Sequence, residues 1–178
     1  MTTSTTGPPE YRYCPLCGQV LTRAGQAGRA RCAGCGFVHY RNPVAGVAVV
    51  VWDDSGGVLL GERARGEWAG QWCIPCGFVE WHEDIREAAV REFEEETGLK
   101  VRLGEVLAVH SNFHNPKQHT VGTWFHGDVI GGRLYPQDGE LQQLAYVDPL
   151  DPPPLAFPTD ALVLEKLAAE GMRSGSGQ

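Results

Sequence analysis

The 178-residue chain predicts an α+β fold with a small cysteine-rich module in front of it. Three features carry that expectation. Apolar, strand-like runs lie on both sides of one long acidic helix, a second amphipathic helix closes the chain, and two cysteine pairs sit close together near the N-terminus.

In chain order, residues 1–10 are rich in Thr, Pro and Gly and are expected to be a disordered tail. Residues 11–41 hold Cys14-Pro-Leu-Cys17-Gly and, fourteen residues after Cys17, Cys32-Ala-Gly-Cys35-Gly. Two C-x2-C knuckles, each followed by glycine, are the ligand set of a four-cysteine zinc ribbon. A segment this short cannot build its own core, so Zn²⁺ on Cys14, Cys17, Cys32 and Cys35 would supply folding energy. Four thiolates leave no open position for catalysis. Redox-active thiols are the alternative. The five arginines of this segment (Arg12, Arg23, Arg29, Arg31 and Arg41) are spread along it with little aromatic interleaving, so a solubilising or packing surface is favoured over nucleic acid.

Asn42-Pro43 marks a boundary, and residues 42–171 form the expected main domain. Val44 to Trp52 reads as a buried strand, Asp53 to Gly57 as a turn and Val58 to Arg63 as the returning strand. Trp72 to Gly77 leads into a loop and a helix that stops at Gly98. The C-x2-C pair Cys73 and Cys76 has no second pair left to join and reads as packed thiols. Leu99 to His110, Thr120 to Ile130 and Leu141 to Val147 follow as strands. The polar and aromatic loop Ser111 to His119 suits substrate contact or equally a solvated hairpin. After the stiff Asp151 to Pro154 linker, Ala161 to Ala169 forms the last helix, with Leu162, Leu164 and Leu167 among its apolar positions, and 172–178 are a flexible tail.

The acidic helix is chemically unusual. Stepping about 100° per residue puts Ile85, Ala89 and Phe93 on one stripe, with Glu92 and Glu96 on the same side, Ala88 and Glu95 beside them, and Glu87 and Glu94 roughly opposite. Carboxylates one turn apart repel, and a buried unpaired one must be neutralised or matched by a cation. A hard divalent ion with oxygen ligands resolves this. The hexamer Arg-Glu-Phe-Glu-Glu-Glu alone reads as a solvated helix face. The longer pattern decides: Gly77, Glu83, Arg91, Glu92, Phe93, Glu95, Glu96, Gly98 and Leu99 fit G-x5-E-x7-R-E-U-x-E-E-x-G-U, where U is bulky and apolar. On these residues the chain resembles the Nudix hydrolases.

That resemblance implies an α/β/α sandwich with a mixed β-sheet behind the zinc ribbon. It also implies metal-dependent hydrolysis of a nucleoside diphosphate linked to a further group, giving a nucleoside monophosphate and a phosphorylated product. Glu92, Glu95 and Glu96, with the backbone carbonyl of Cys76, would hold Mg²⁺ or Mn²⁺. Arg91 would orient a glutamate, Glu83 would support the site, and Glu140 is a weaker extra ligand or base, or equally a surface acid. Arg63, Phe113 and His114 are candidate substrate contacts. Cys76 and His82 stand where family members commonly have glycine; a carbonyl ligand tolerates the first, and the second adjusts the turn before Glu83. Ribbon, box and Leu155-Ala-Phe157 ahead of a helix look more like the ADP-ribose and FAD pyrophosphatases than the NADH pyrophosphatases, because His110-Ser-Asn-Phe-His-Asn-Pro lacks the latter's signature.

The net charge is −7, yet Tyr11 to Arg41 carries a local +5 with no acid, leaving −12 elsewhere. An anionic substrate therefore needs bound metal to reverse the local sign. The longest apolar run is about half of a membrane span, and no signal peptide is evident, so a cytoplasmic enzyme acting on a small nucleotide is expected, with no membrane partner and with a homodimer left open. The competing function is a nucleotide-sensing or RNA-binding module, cap removal from RNA included, that uses the basic ribbon.

Overall fold

The computed structural model describes residues 11–23, 28–137 and 139–174, with side chains as far as residue 169. The expected tail 1–10 and residues 175–178 lie outside the described residues.

In the N-terminal segment, β1 (Leu21–Arg23), β2 (Ala30–Cys32) and β3 (Val38–His39) pair antiparallel in that order, and Tyr13 bridges Val20 across the first knuckle. Both knuckles use one bonding scheme. The Gly18 N–H donates to the Cys14 carbonyl (2.9 Å) and Gly36 to Cys32 (3.1 Å), while Cys14 and Cys32 donate to Gln19 (2.7 Å) and Phe37 (2.8 Å). Each C-x2-C is thus a tight turn that puts both thiols on its inner side.

The main body runs β4 (Val44–Val50), β5 (Val58–Arg63), β6 (Trp72–Cys73), β7 (Cys76–Phe78), α1 (Ile85–Thr97), β8 (Leu99–Asn112), β9 (Thr120–Gly132), β10 (Leu141–Val147) and α2 (Pro158–Ser174). One sheet has the order β7-β4-β9-β8, with β4 and β9 parallel and the other pairs antiparallel. The second is β10-β5-β6, antiparallel. Successive strand residues face opposite sides, and β4 uses both. Val47, Val49 and Val51 pack with Ala88, Ala89 and Phe93 of α1, whereas Ala48 and Val50 pack with Val163, Leu164 and Leu167 of α2. The expected α/β/α arrangement follows from that alternation. Phe93 anchors α1; truncating a buried Phe to Ala costs about 3–5 kcal/mol.

Two expectations shift. Ile85, placed on the core stripe by periodicity, is exposed at the first position of the helix, and the buried stripe is Ala88, Ala89, Phe93, Glu96 and Thr97. The last helix is longer at both ends than 161–169, starting at Pro158, a residue whose fixed φ suits the first helical position and which has no N–H to leave unsatisfied.

Pro75 divides the stretch that leads into α1. It cannot donate to a ladder, so the chain changes sheets there: β6 before it pairs with β5, β7 after it pairs with β4, and the Pro75 carbonyl accepts from Val49 N–H at 3.2 Å. This crossing sets the position of Cys76.

Candidate active site

α1 is held at both ends. Asp84 caps it by accepting from Arg86 N–H (2.8 Å), and Gly98 ends it in the left-handed conformation (φ 71°), donating to the Glu94 carbonyl at 2.8 Å. Between these caps the glutamates sort by burial. Glu96 is 1% exposed and its Oε2 accepts the Cys76 N–H at 2.7 Å, tying helix to crossing. Glu92 is partly buried and lies flat on Gly77, whose missing side chain makes the room: a Cβ there would be 2.0 Å from the Glu92 carboxyl carbon. Glu95 is the most solvent-exposed of the three.

Arg91 joins these groups. Its Nε and Nη2 clasp the two oxygens of Glu83 at 2.7 and 2.9 Å, Nη1 reaches Glu92 (2.9 Å) and Glu95 (3.2 Å), and Nη2 also donates to the Phe78 carbonyl at 3.2 Å. The two-pronged clasp is the strong form of this interaction. With the Glu80 N–H, 2.9 Å from Glu83 Oε2, it holds the Glu83 carboxyl down to about 2. Glu83 first, and then Glu92, in turn hold the guanidinium charged against its partial burial. The turn feeding Glu83 passes through His82 at φ 72°, an uncommon conformation for a side-chain-bearing residue.

Arg63, the last residue of β5, also stands near Cys76. Burial works against its charge, but Cys73, Cys76 and Glu96 beside it more than offset that. Its guanidinium lies 5.4 Å from the Phe157 ring centre, and Phe157 is edge-on to Trp68 (5.7 Å) and tilted against His114 (5.4 Å); Trp68 and His114 are themselves 4.7 Å apart. Arg63 Nε and His114 Nε2, both shielded from solvent, have no hydrogen-bond partner among the described residues. The His114 ring is fixed through Nδ1 on Asn112 Oδ1, and Asn112 donates to Thr159 (3.2 Å). Burial pulls the imidazole below its usual range, which favours the neutral ring.

Asp160, in the first turn of α2, is fully buried. It accepts from Ile74 N–H (3.1 Å) and Trp124 Nε1 (3.2 Å) and so fastens α2 to the crossing. Burial pushes its carboxyl up to about 7, against the pull of those two donors and of Arg63.

The four ribbon thiols are a separate centre. They are the one group of three or more potential ligands, among the described residues, whose atoms all lie within 4.8 Å of each other. The Cys35 backbone N–H leads in drawing Cys32 down to about 7, whereas Cys17, in spite of the Gln19 N–H, is driven up to about 12 by its thiol neighbours. One thiolate therefore discourages the next unless a cation sits among them. Four sulfur donors at this spacing fit zinc.

Of the residues singled out in the sequence, Glu83, Arg91, Glu92, Glu95, Glu96 and Cys76 come together on α1 and the crossing, and Arg63 and His114 meet through Phe157. Phe113 does not join them; it is 65% exposed and meets His119 edge-on. Glu140 spends its carboxylate on Arg65 at 3.0 Å, an exposed pair. Cys73 is buried as a packed thiol. Trp68, Phe157 and Asp160 escaped sequence reading as site residues; the one signal was an aromatic just ahead of a helix whose first turn carries an acid.

A NUDIX domain model matches residues 42–167. An ADP-ribose pyrophosphatase of Methanocaldococcus jannaschii is 34% identical over 70% of this chain and 73% of its own. An NAD-capped RNA hydrolase of Stutzerimonas stutzeri is 28% identical over 75% of this chain; the match spans 46% of that relative, about half its length. Among solved structures, a NUDIX hydrolase from Nitrosomonas europaea superimposes with a TM-score of 0.74 at 26% identity, covering 94% of both chains.

Proposed function

Because the chain belongs to the Nudix family of hydrolases, we propose that it splits the diphosphate of a nucleoside diphosphate derivative, with ADP-ribose and FAD the leading candidates. The products are a nucleoside monophosphate and the phosphorylated remainder. The observation that carries this is Glu96, a buried carboxylate tied to the Cys76 amide on the same helix as Glu92 and Glu95 and close enough to Arg63 to help hold its charge.

The donor set is three carboxylates and a backbone carbonyl, all hard oxygens, and it fits Mg²⁺ or Mn²⁺ rather than a soft metal. Glu92, Glu95, Glu96 and the Cys76 carbonyl would hold that ion. When bound, it neutralises the diphosphate and lowers the pKa of a coordinated water. The chain's own residues do the rest. Arg91 restrains Glu92 and Glu95 in their rotamers and keeps Glu83 ionised. Arg63 offers its unused Nε to a phosphate oxygen, and the Trp68, His114 and Phe157 rings receive the aromatic end of the substrate, with the neutral His114 Nε2 reading its edge. Zinc on Cys14, Cys17, Cys32 and Cys35 holds the ribbon and takes no part in the reaction.

The likeness to NAD-capped RNA hydrolases supports a second substrate form, in which the same diphosphate sits at the 5′ end of an RNA. The test is a ranking of kcat/KM in Mg²⁺ or Mn²⁺ over ADP-ribose, FAD, NADH, diadenosine polyphosphates, nucleoside triphosphates and NAD-capped RNA. ADP-ribose or FAD should lead; a nucleoside triphosphate leading by tenfold or more overturns the reading.

A further inference from the structure

Strand pairing gives the ribbon two unlike faces. Thr22 lies opposite Arg31 and Arg31 opposite Val38, so these three share one side of the small sheet. Alternation along each strand adds Arg29 and Tyr40 to that side, and the Arg29 guanidinium indeed lies 5.1 Å from the Tyr40 ring centre. At the other edge Val20, two residues before Thr22, is bridged to Tyr13, whose ring has Arg12 5.9 Å away. Ala30 and Cys32 point the opposite way, buried, toward the gathered thiols. The buried Ala30 and Cys32 thus occupy one face of the small sheet, and Tyr13, Arg31, Arg29 and Tyr40 run across the opposite one.

We propose that this outer face is a docking surface for single-stranded nucleic acid, a role that goes beyond hydrolysis of a small substrate and does not depend on it. Both tyrosines are more than half exposed (55% and 59%), all five arginines are exposed, and no carboxylate occurs between Tyr11 and Arg41 while the rest of the chain carries −12. A merely solubilising surface needs charge but not bare rings. A single strand uses both, its phosphates on guanidinium groups and its unpaired bases on aromatic faces, and arginines already set against tyrosines present the two together. Along the chain the arginines show little aromatic interleaving, which favoured a solubilising or packing surface; pairing brings residues 13 and 40 to one face. The ribbon also enters the main body beside the site: Val44 follows Arg41 by three residues, and the neighbouring Ala45 carbonyl accepts from Val79 N–H (3.1 Å), just ahead of the turn that carries Glu83.

The test is fluorescence anisotropy of the zinc-loaded full chain with a 3′-labelled, 5′-hydroxyl 12-mer as RNA, as DNA of the same sequence and as a duplex. None of these has a diphosphate to cleave. If about three arginines meet phosphates, affinity for the single strands falls about twentyfold between 50 and 200 mM salt. Tyr40→Ala weakens binding at least about fivefold, Arg31→Glu weakens it further, and Tyr40→Phe binds as the wild type. ADP-ribose hydrolysis by all three variants stays at the wild-type rate, so loss of binding and loss of the hydrolase reading are separate results; tighter binding of RNA or of DNA names the source of the strand. No anisotropy change at 50 mM salt, wild-type binding by both Tyr40→Ala and Arg31→Glu, or a duplex bound as tightly as the single strands each overturns the proposal.

Discussion

Gly77→Ala puts the geometry of the site under the sharpest test. The added Cβ would lie 2.0 Å from the Glu92 carboxyl carbon and 2.2 and 2.5 Å from its oxygens. Ordinary contact begins near 3.4 Å, so the carboxylate must retreat by more than about 1 Å, a displacement of a catalytic group that costs on the order of 100-fold in rate. Gly77 is not in the left-handed conformation, so the backbone accepts alanine, and the lower entropy of the unfolded chain offers about 0.4–1 kcal/mol in return. The variant should therefore melt within a few degrees of the wild type while kcat for ADP-ribose falls about 100-fold. Because the effect runs through Glu92, Gly77→Ala combined with Glu92→Ala should be no slower than Glu92→Ala alone, the non-additivity expected of neighbours. Steady-state kinetics at saturating Mn²⁺, with a thermal melt of each protein, makes the measurement. A Gly77→Ala enzyme within threefold of wild-type kcat, or strict additivity in the double variant, refutes the packing of Glu92 on Gly77 as the reason for the glycine.

Three further outcomes are expected. Asp160 has its folded carboxyl raised to about 7 from an unfolded value near 3.8, so it binds a proton more tightly when folded; its contribution is complete below pH 4 and is lost as pH rises toward 7, by up to about 4 kcal/mol at 1.36 kcal/mol per unit, with Arg63 the facing cation and Cys76 and Glu96 the neighbouring acids. Asp160→Asn should flatten the fall in melting temperature between pH 5 and pH 8, and an unchanged slope contradicts the assignment. Trp68→Ala should raise KM for ADP-ribose about tenfold or more with kcat within threefold, the pattern of lost binding; a fall in kcat at constant KM speaks against a substrate-holding role. Chelation of zinc should unfold 11–41, seen as exposure of four thiols to a colorimetric reagent, and leave hydrolysis largely intact, whereas loss of activity in step with the thiols would show that the two parts stand or fall together.

What could be read from the sequence, and what could not, divides by range. α1 was legible from its stop at Gly98 and from the period that buries Ala89 and Phe93, both local signals, and β10 was legible to the residue because a polar turn and a proline-rich linker bracket it. Two-residue strands such as β6 have no period to read, so the change of sheet at Pro75 emerged only from pairing. Trp68, His114 and Phe157 meet across three separate loops, and Asp160 looks like any acid in the first turn of a helix until burial removes its water. The make-up of the ribbon's outer face was hidden for the same reason, since a sheet interleaves side chains across strands and not along them. Glu83, by contrast, was assigned its supporting role from its place in the signature alone, and it meets Arg91 with two hydrogen bonds.

The account rests on a carboxylate trio completed by the buried Glu96. Its most direct test is AMP release from ADP-ribose in Mn²⁺ by the wild type and by Glu96→Gln, a change that keeps an acceptor for the Cys76 N–H and removes only the charge. Metal-dependent release by the wild type, reduced at least about 1000-fold in a variant that melts normally, is the predicted result. Turnover by Glu96→Gln within threefold of wild type would contradict it.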